Sequence, residues 1–206
     1  MTAVRTIELF ADIGCPFTHV GLRRFVDRRR ELGREDVRLW VRSWPLEVVN
    51  GTPLDPQFID EEVADLREQL GDTLFTGFSA AAFPSTSMPA MSLAAVAYGH
   101  GVERGEQVSL ELRDLLFERG VDVADHEVLR ALADRHGLEV DPDDHRAVLE
   151  DHADGARRGV VGSPHFFTGS GDFFCPSLEV HRDAQGHLRI AADPEGFARF
   201  LDACLV

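Results

Sequence analysis

Thr6-Ile7-Glu8-Leu9-Phe10-Ala11-Asp12-Ile13-Gly14-Cys15-Pro16-Phe17-Thr18 carries an apolar stretch through a tight turn onto a proline. Thr6 to Ala11 reads as a short buried strand, and Asp12-Ile13-Gly14 as the turn that ends it. Pro16 suits the first turn of a helix, where its missing N–H would have no partner anyway. Phe17, Val20, Phe25, Val26 and Leu32 keep roughly helical spacing to about Leu32, and Gly33 closes the segment. Val37 to Ser43 alternates as a second strand. The chain therefore opens β-α-β, with Cys15 at the turn from strand to helix.

Beyond this opening the pattern changes. Pro45 to Pro56 reads as a loop, with Asn50-Gly51 and Pro53 inside it. From Gln57 to about Arg158 only helical signals occur. The better ones are Phe58–Leu70, Met91–Tyr98, Val108–Arg119, His126–His136 and His145–Arg157. Asp125 is placed to cap the helix at His126, and Asp141-Pro142 reads as another helix start. Strand signals resume after Gly159. Pro164–Phe167 is one strand and Gly169-Ser170-Gly171 a turn. Phe173 to about His181 is a second strand region, with Cys175-Pro176 a bulge or edge, and Leu188–Ala191 extends the sheet. Asp193-Pro194 opens a last helix through Phe197, Phe200 and Leu201.

The bulk composition limits what such a chain does. Its 206 residues are 44% hydrophobic and 28% charged, the profile of a folded globular protein. The net charge of −15 repels phosphates and anionic lipid, so neither nucleic acid nor a membrane surface is an expected partner. All 21 basic residues are Arg, a pattern of high-GC, actinobacterium-like coding or of a salt-adapted source. No apolar run reaches membrane-span length, and Met1–Phe10 lacks the apolar core of a signal peptide. The expectation is a cytoplasmic protein whose three cysteines form no disulfide framework. The nine histidines are scattered, with no H-E-x-x-H or paired C-x-x-C, so no metal site is expected.

Two motifs carry a resemblance. Asp12-Ile13-Gly14-Cys15-Pro16-Phe17-Thr18 resembles the D-x-x-C-P-x-C region of cytosolic DsbA-like proteins. Gly159-Val160-Val161-Gly162-Ser163-Pro164 resembles the G-V-x-G-x-P loop of the same thioredoxin-fold superfamily. The resemblance covers most of the chain. It implies an α/β thioredoxin fold, β-α-β … β-β-α, with a large all-helical insertion between the two halves. Residues 1–56 and 159–206 would form the thioredoxin-like domain and 57–158 the insertion. It further implies a cis Ser163–Pro164 bond, Pro164 packed beside Cys15, and a Ser163 backbone free to pair with an extended peptide or a thiol peptide such as glutathione. Phe17 joins Ser163 and Pro164 as a substrate-binding residue. Similar proteins include dithiol oxidoreductases, disulfide isomerases, 2-hydroxychromene-2-carboxylate isomerases and kappa-class glutathione transferases. The last two typically carry Ser where this chain has Cys15. Thr18 departs from the pattern, because it stands where a dithiol enzyme keeps its resolving cysteine.

Cys15 reads without the family as well. A thiol at a helix N-terminus meets the positive end of the macrodipole and free N–H groups, both of which favour the thiolate. The expected thiol pKa is below about 7.5. The other reading is a small buried residue in a degenerate site. Pro16 sets the helix start, and Thr18 offers a hydroxyl to the sulfur. His19 shares the helix face, either as an imidazolium supporting the thiolate or as a core or surface histidine. Asp12 is a proton relay or, with better reason, a helix cap. His165 points away on its strand and reads as structural. Cys175 is a resolving thiol or a packed small residue, and Cys204 core or surface. Phe75, Phe78, Phe83, Trp40 and Trp44 either line an apolar pocket over Cys15 or belong to the core.

Three functions follow. In the first, a monothiol oxidoreductase attacks a disulfide through Cys15. A low-molecular-weight thiol, glutathione or mycothiol, then releases the product, with no tightly bound cofactor. The substrate is a small molecule or an extended peptide. The second is a thiol-dependent isomerase or transferase in which Cys15 positions a cofactor thiol. The third is a non-catalytic binding module. The sequence does not specify an oligomeric state.

Overall fold

The computed structural model describes residues 4–70, 73–182 and 188–205. The opening unit is β1 (Arg5–Ala11), α1 (Pro16–Glu31) and β2 (Val37–Ser43). β1 and β2 run parallel, paired from Arg5↔Val37 to Ala11↔Ser43, so α1 is the crossover between them. Leu22, Phe25 and Val26 of α1 bury against Ile7, Leu9, Val37, Leu39 and Val41. Gly33 then turns the chain away with a left-handed φ of 63°.

Next come α2 (Leu46–Asn50), α3 (Pro56–Leu70), a 3-10 turn at Ala80–Ala82, α4 (Met88–Gly99), α5 (Val102–Arg119), α6 (His126–His136) and α7 (Arg146–Arg157). Two expectations change here. The Pro45–Pro56 loop contains the short helix α2, because the Asp12 carboxylate accepts the Leu46 N–H at 2.7 Å and so occupies one unpaired donor of its first turn. Asp141-Pro142 forms a turn instead of a helix start. The Asp141 side chain accepts the Asp143 N–H at 3.1 Å, closing a local loop before α7. Asp125 does cap α6, accepting from the N–H groups of Glu127 and Val128.

β3 (His165–Thr168) and β4 (Gly171–Phe174) complete a mixed sheet in the order β2-β1-β3-β4, with β3 antiparallel to β1. The expected strand from Phe173 to His181 is broken. Cys175 takes φ 45°, and Pro176 has no N–H to donate to a ladder. After this break β5 (Leu178–Arg182) pairs with β6 (Leu188–Ala192) in a separate two-stranded sheet, so Leu188–Ala191 does not extend the main one. α8 (Pro194–Leu205) closes the chain, its first turn capped by Asp193 Oδ1 accepting the Gly196 N–H at 2.8 Å.

The architecture is a thioredoxin fold of mixed helix and sheet. The helices between β2 and β3 share one core with Ile13, Val20, Cys175, Leu178 and Ile190. They also close the free edge of β2 with side chains. Glu106 Oε1 accepts the Leu39 N–H at 2.8 Å, Tyr98 Oη donates to the Leu39 carbonyl at 3.1 Å, and Asp151 accepts the Ser43 N–H at 3.0 Å. An edge occupied in this way offers no template for another strand. Among the described residues no helix is long and apolar enough to cross a membrane.

Candidate active site

The end of β1, the start of α1 and the loop before β3 converge on Cys15. Cys15 is the N-cap residue of α1, with extended backbone angles and Pro16 following. Its Sγ donates to the Ser163 carbonyl at 3.3 Å. The Ser163–Pro164 peptide bond is cis. Ser163 Oγ accepts the Asp12 N–H at 2.9 Å and shares a 2.8 Å hydrogen bond with Thr18 Oγ1. Pro164 lies against α1, where a Cβ on Gly21 would meet its Cγ at 3.9 Å. Cys15, Thr18, Ser163, Pro164 and Asp12 are thus brought together. Phe17 is half-buried and packs on the helical core beside them. The sequence resemblance implies a free Ser163 backbone; its carbonyl instead takes the Cys15 S–H.

Cys15 is only 4% exposed, and this reverses the expectation for its ionisation. Burial pushes the thiol above its ordinary value, and the Glu62 carboxylate on α3 adds to the rise. The hydroxyl and N–H of Thr18 and the Ser163 side chain act in the opposite direction and do not win. Removing a charge from water outweighs a helix N-terminus when no solvent reaches the sulfur. Leu54 and Phe83 form part of the cover: a Cβ on Gly14 would meet Leu54 Cδ1 at 3.1 Å and Phe83 Cζ at 3.2 Å. The crevice beside Gly14, lined by Glu47, Leu54, Phe83 and Ser87, has a volume of about 10 Å³. That is at the lower limit for one water molecule.

Asp12 is fully buried and does not cap α1. Its Oδ1 accepts the Gly14 N–H at 2.7 Å, and its Oδ2 accepts the Leu46 N–H at 2.7 Å and the Ser87 hydroxyl at 3.2 Å. Burial raises its pKa against these donors and against the nearby Arg113 charge. Arg113 on α5 is 1% exposed. It donates to the Asp12 carbonyl at 3.2 Å and to the Ser109 carbonyl and hydroxyl at 2.9 and 2.7 Å. Its Nε has no partner among the described residues. Burial lowers its pKa to about 10, which leaves it charged at neutral pH, and the charges of Asp12 and Cys15 bear on it. Sequence reading missed Arg113. The available signal was a cation inside the apolar stripe of Val108, Leu112 and Leu116, one helical turn after Ser109.

The remaining candidates lie elsewhere. His19 does not serve the sulfur. Its Nε2 bonds Glu118 Oε1 at 2.7 Å between Phe75 and Phe117, and burial lowers its pKa despite that carboxylate. His165 accepts the Val161 N–H at Nδ1 and bonds Asp172 through Nε2 at 2.8 Å, a structural arrangement. The aromatics do not form one pocket. Phe75 meets Phe117 edge-on, Phe78 stacks on Phe117, and Phe83 covers Gly14. Trp44 packs on Phe10 and His152, whereas Trp40 is exposed on β2. Cys175 is buried in the core that holds Ile13, and Cys204 in the core under α8. Among the described residues no group of three or more His, Cys, Asp or Glu is gathered as a metal ion would require.

Comparison with known proteins bears on the fold that holds this site. The family model of the DSBA-like thioredoxin domain matches residues 6–184. No curated protein matches the chain. Among solved structures, a putative protein disulfide isomerase from Nitrosomonas europaea is similar at TM-score 0.61 and 14% identity, covering 96% of this chain and 95% of its own. The cytosolic disulfide reductase DsbM from Pseudomonas aeruginosa follows at TM-score 0.57 and 13% identity, covering 96% and 97%. A 2-hydroxychromene-2-carboxylate isomerase is similar at TM-score 0.56 and 12% identity, covering 82% and 88%. At such identities the likeness is one of fold.

Proposed function

The chain belongs to the DSBA-like thioredoxin domain family, and from that premise we propose that it is a thiol–disulfide oxidoreductase working through Cys15. One observation carries this reading: the Cys15 sulfur lies 3.3 Å from the carbonyl preceding the cis proline, with Thr18 rather than a second thiol in the following turn. The Cys15 thiolate attacks one sulfur of a disulfide RSSR, forms Cys15–S–S–R and expels RS⁻. A second low-molecular-weight thiolate then attacks the mixed disulfide and returns Cys15. Leu54 and Phe83 pack on Gly14 next to the nearly buried Cys15, a setting that favours small disulfides or extended peptides over folded surfaces. All three cysteines are free, which suits a reducing, cytoplasmic setting.

The test is intact-mass analysis of the reduced protein and Cys15→Ser after exposure to glutathione disulfide. A glutathione adduct on Cys15 that excess glutathione removes is expected, with none at this position in the variant. A wild-type protein that never gains an adduct at Cys15 overturns the reading.

The burial of Cys15 favours a second reading. Its raised pKa and its S–H bond to Ser163 suit a thiol that stays protonated and holds a cofactor thiol by hydrogen bonding, as in a thiol-dependent isomerase or transferase. Glutathione binding measured by calorimetry, without any adduct, would select it.

A further inference from the structure

Cys175 continues the β3–β4 ladder by one step. Beyond the His165↔Phe174 pair, its N–H donates to the Pro164 carbonyl at 3.0 Å. Pro164 packs at Gly21 of α1, and Cys175 lies in the same core as Ile13 and Val20, on the side of the sheet that α1 covers. The neighbouring carbonyl, that of Ser163, receives the Cys15 S–H at 3.3 Å. Two thiols therefore flank one Ser163–Pro164 unit, Cys15 through its S–H bond to the Ser163 carbonyl and Cys175 through its N–H bond to the Pro164 carbonyl.

The backbone at Cys175 adds a second observation. Its φ of 45° is a conformation that glycine adopts freely and that side chains adopt at a cost. The Cys175 side chain is nonetheless buried, in the core that holds Ile13 and Val20. Cys204 is no competitor, because it lies in the other core, under α8.

We propose that Cys175 resolves the Cys15 mixed disulfide when no external thiol reaches it first. The proposal rests on the reading that Cys15 forms a mixed disulfide. After Cys15 attacks a small-molecule disulfide RSSR and releases RS⁻, the Cys175 thiolate attacks the Cys15 sulfur. The second RS⁻ leaves, and a Cys15–Cys175 disulfide forms. One RSSR is reduced to two RSH, and the two protein thiols are oxidised to one disulfide; their protons go to the departing thiolates. Burial holds the Cys175 thiol at about 12, so this step is the slow one and the mixed disulfide accumulates first.

The test follows intact mass against time after adding glutathione disulfide to the reduced protein. The wild type should pass through a glutathione adduct to a species lighter than the reduced protein by two hydrogens. Its tryptic digest should contain the Cys15 and Cys175 peptides joined. Cys175→Gly, which suits the local φ and so preserves the fold, should keep the adduct at least about tenfold longer. Equal adduct lifetimes in both proteins, or a joined peptide carrying Cys204 in place of Cys175, would overturn the proposal. Absence of any Cys15 adduct in either protein overturns the Cys15 reading itself, and this proposal with it.

Discussion

The turn at residues 12–18 and the helices between β2 and β3 build one site by opposite means. The turn places a sulfur at the head of α1, where dipole and N–H groups would promote its ionisation. The helical segment brings the Glu62 carboxylate and the Arg113 guanidinium near it, and Phe83 covers Gly14 beside it. Burial wins, and Cys15 rests as a thiol. The turn decides which atom reacts, and the helices decide when it is reached and charged. A local motif can therefore name a nucleophile without fixing its acidity.

Asp12 is where the two regions meet, and Asp12→Ala should show the largest effect. It strands the Gly14 and Leu46 N–H groups and the Ser87 hydroxyl, and removes a charge that bears on buried Arg113. The expected loss in urea unfolding is roughly 3–5 kcal/mol, from leaving several buried donors unpaired. A loss below about 1 kcal/mol, a surface-like value, would separate the regions energetically. Arg113→Met should cost less, roughly 1–3 kcal/mol, because the Asp12 carbonyl and Ser109 lose a donor while a buried charge also disappears. No loss at all would mean that the helices only cover the turn.

Acid sharpens the comparison within the helical segment. Burial raises the Glu118 pKa, but hydrogen bonds from His19, Phe75 and Thr76 outweigh it and bring the carboxyl to about 2, from the ordinary 4.5. A folded pKa below the unfolded one means that its contribution is intact above pH 4.5 and is lost as pH falls through about 2. His19 acts in the same direction, beginning below its ordinary 6.5, because burial keeps the folded ring neutral while the unfolded ring takes a proton. Stability against urea should therefore fall progressively from about pH 6.5 downward, and Glu118→Gln should remove the lower part of that fall. Thr18→Val should have the smallest effect, about 0.5–1.5 kcal/mol, since it removes one neutral hydroxyl that bonds Ser163 Oγ and supports the Cys15 sulfur.

Much of this was readable in the chain itself. β1, α1 and β2 carry strong local periodicity, and the two motifs that meet at Cys15 and Ser163 are contiguous stretches. The break at Cys175 was less legible, because a φ of 45° at a non-glycine residue depends on the surrounding structure. The ionisation of Cys15 was misread for a similar reason. Leu54 and Phe83 reach Gly14 from irregular segments with no periodicity to announce them. Glu62 and Arg113 come from separate helices whose sequences do not state which faces meet. The partner of the His19 ring was not legible because Glu118 lies far along the chain, on α5.

The most direct test is the rate of Cys15 alkylation by iodoacetamide as a function of pH, in a Cys175→Gly, Cys204→Ala background so that a single thiol reports. If burial by the helical segment governs the sulfur, reaction at pH 7 is slow and the midpoint lies above the free-thiol value of about 8.5. Rapid alkylation at pH 7 with a midpoint below about 7.5, as the helix N-terminus alone would give, contradicts the account.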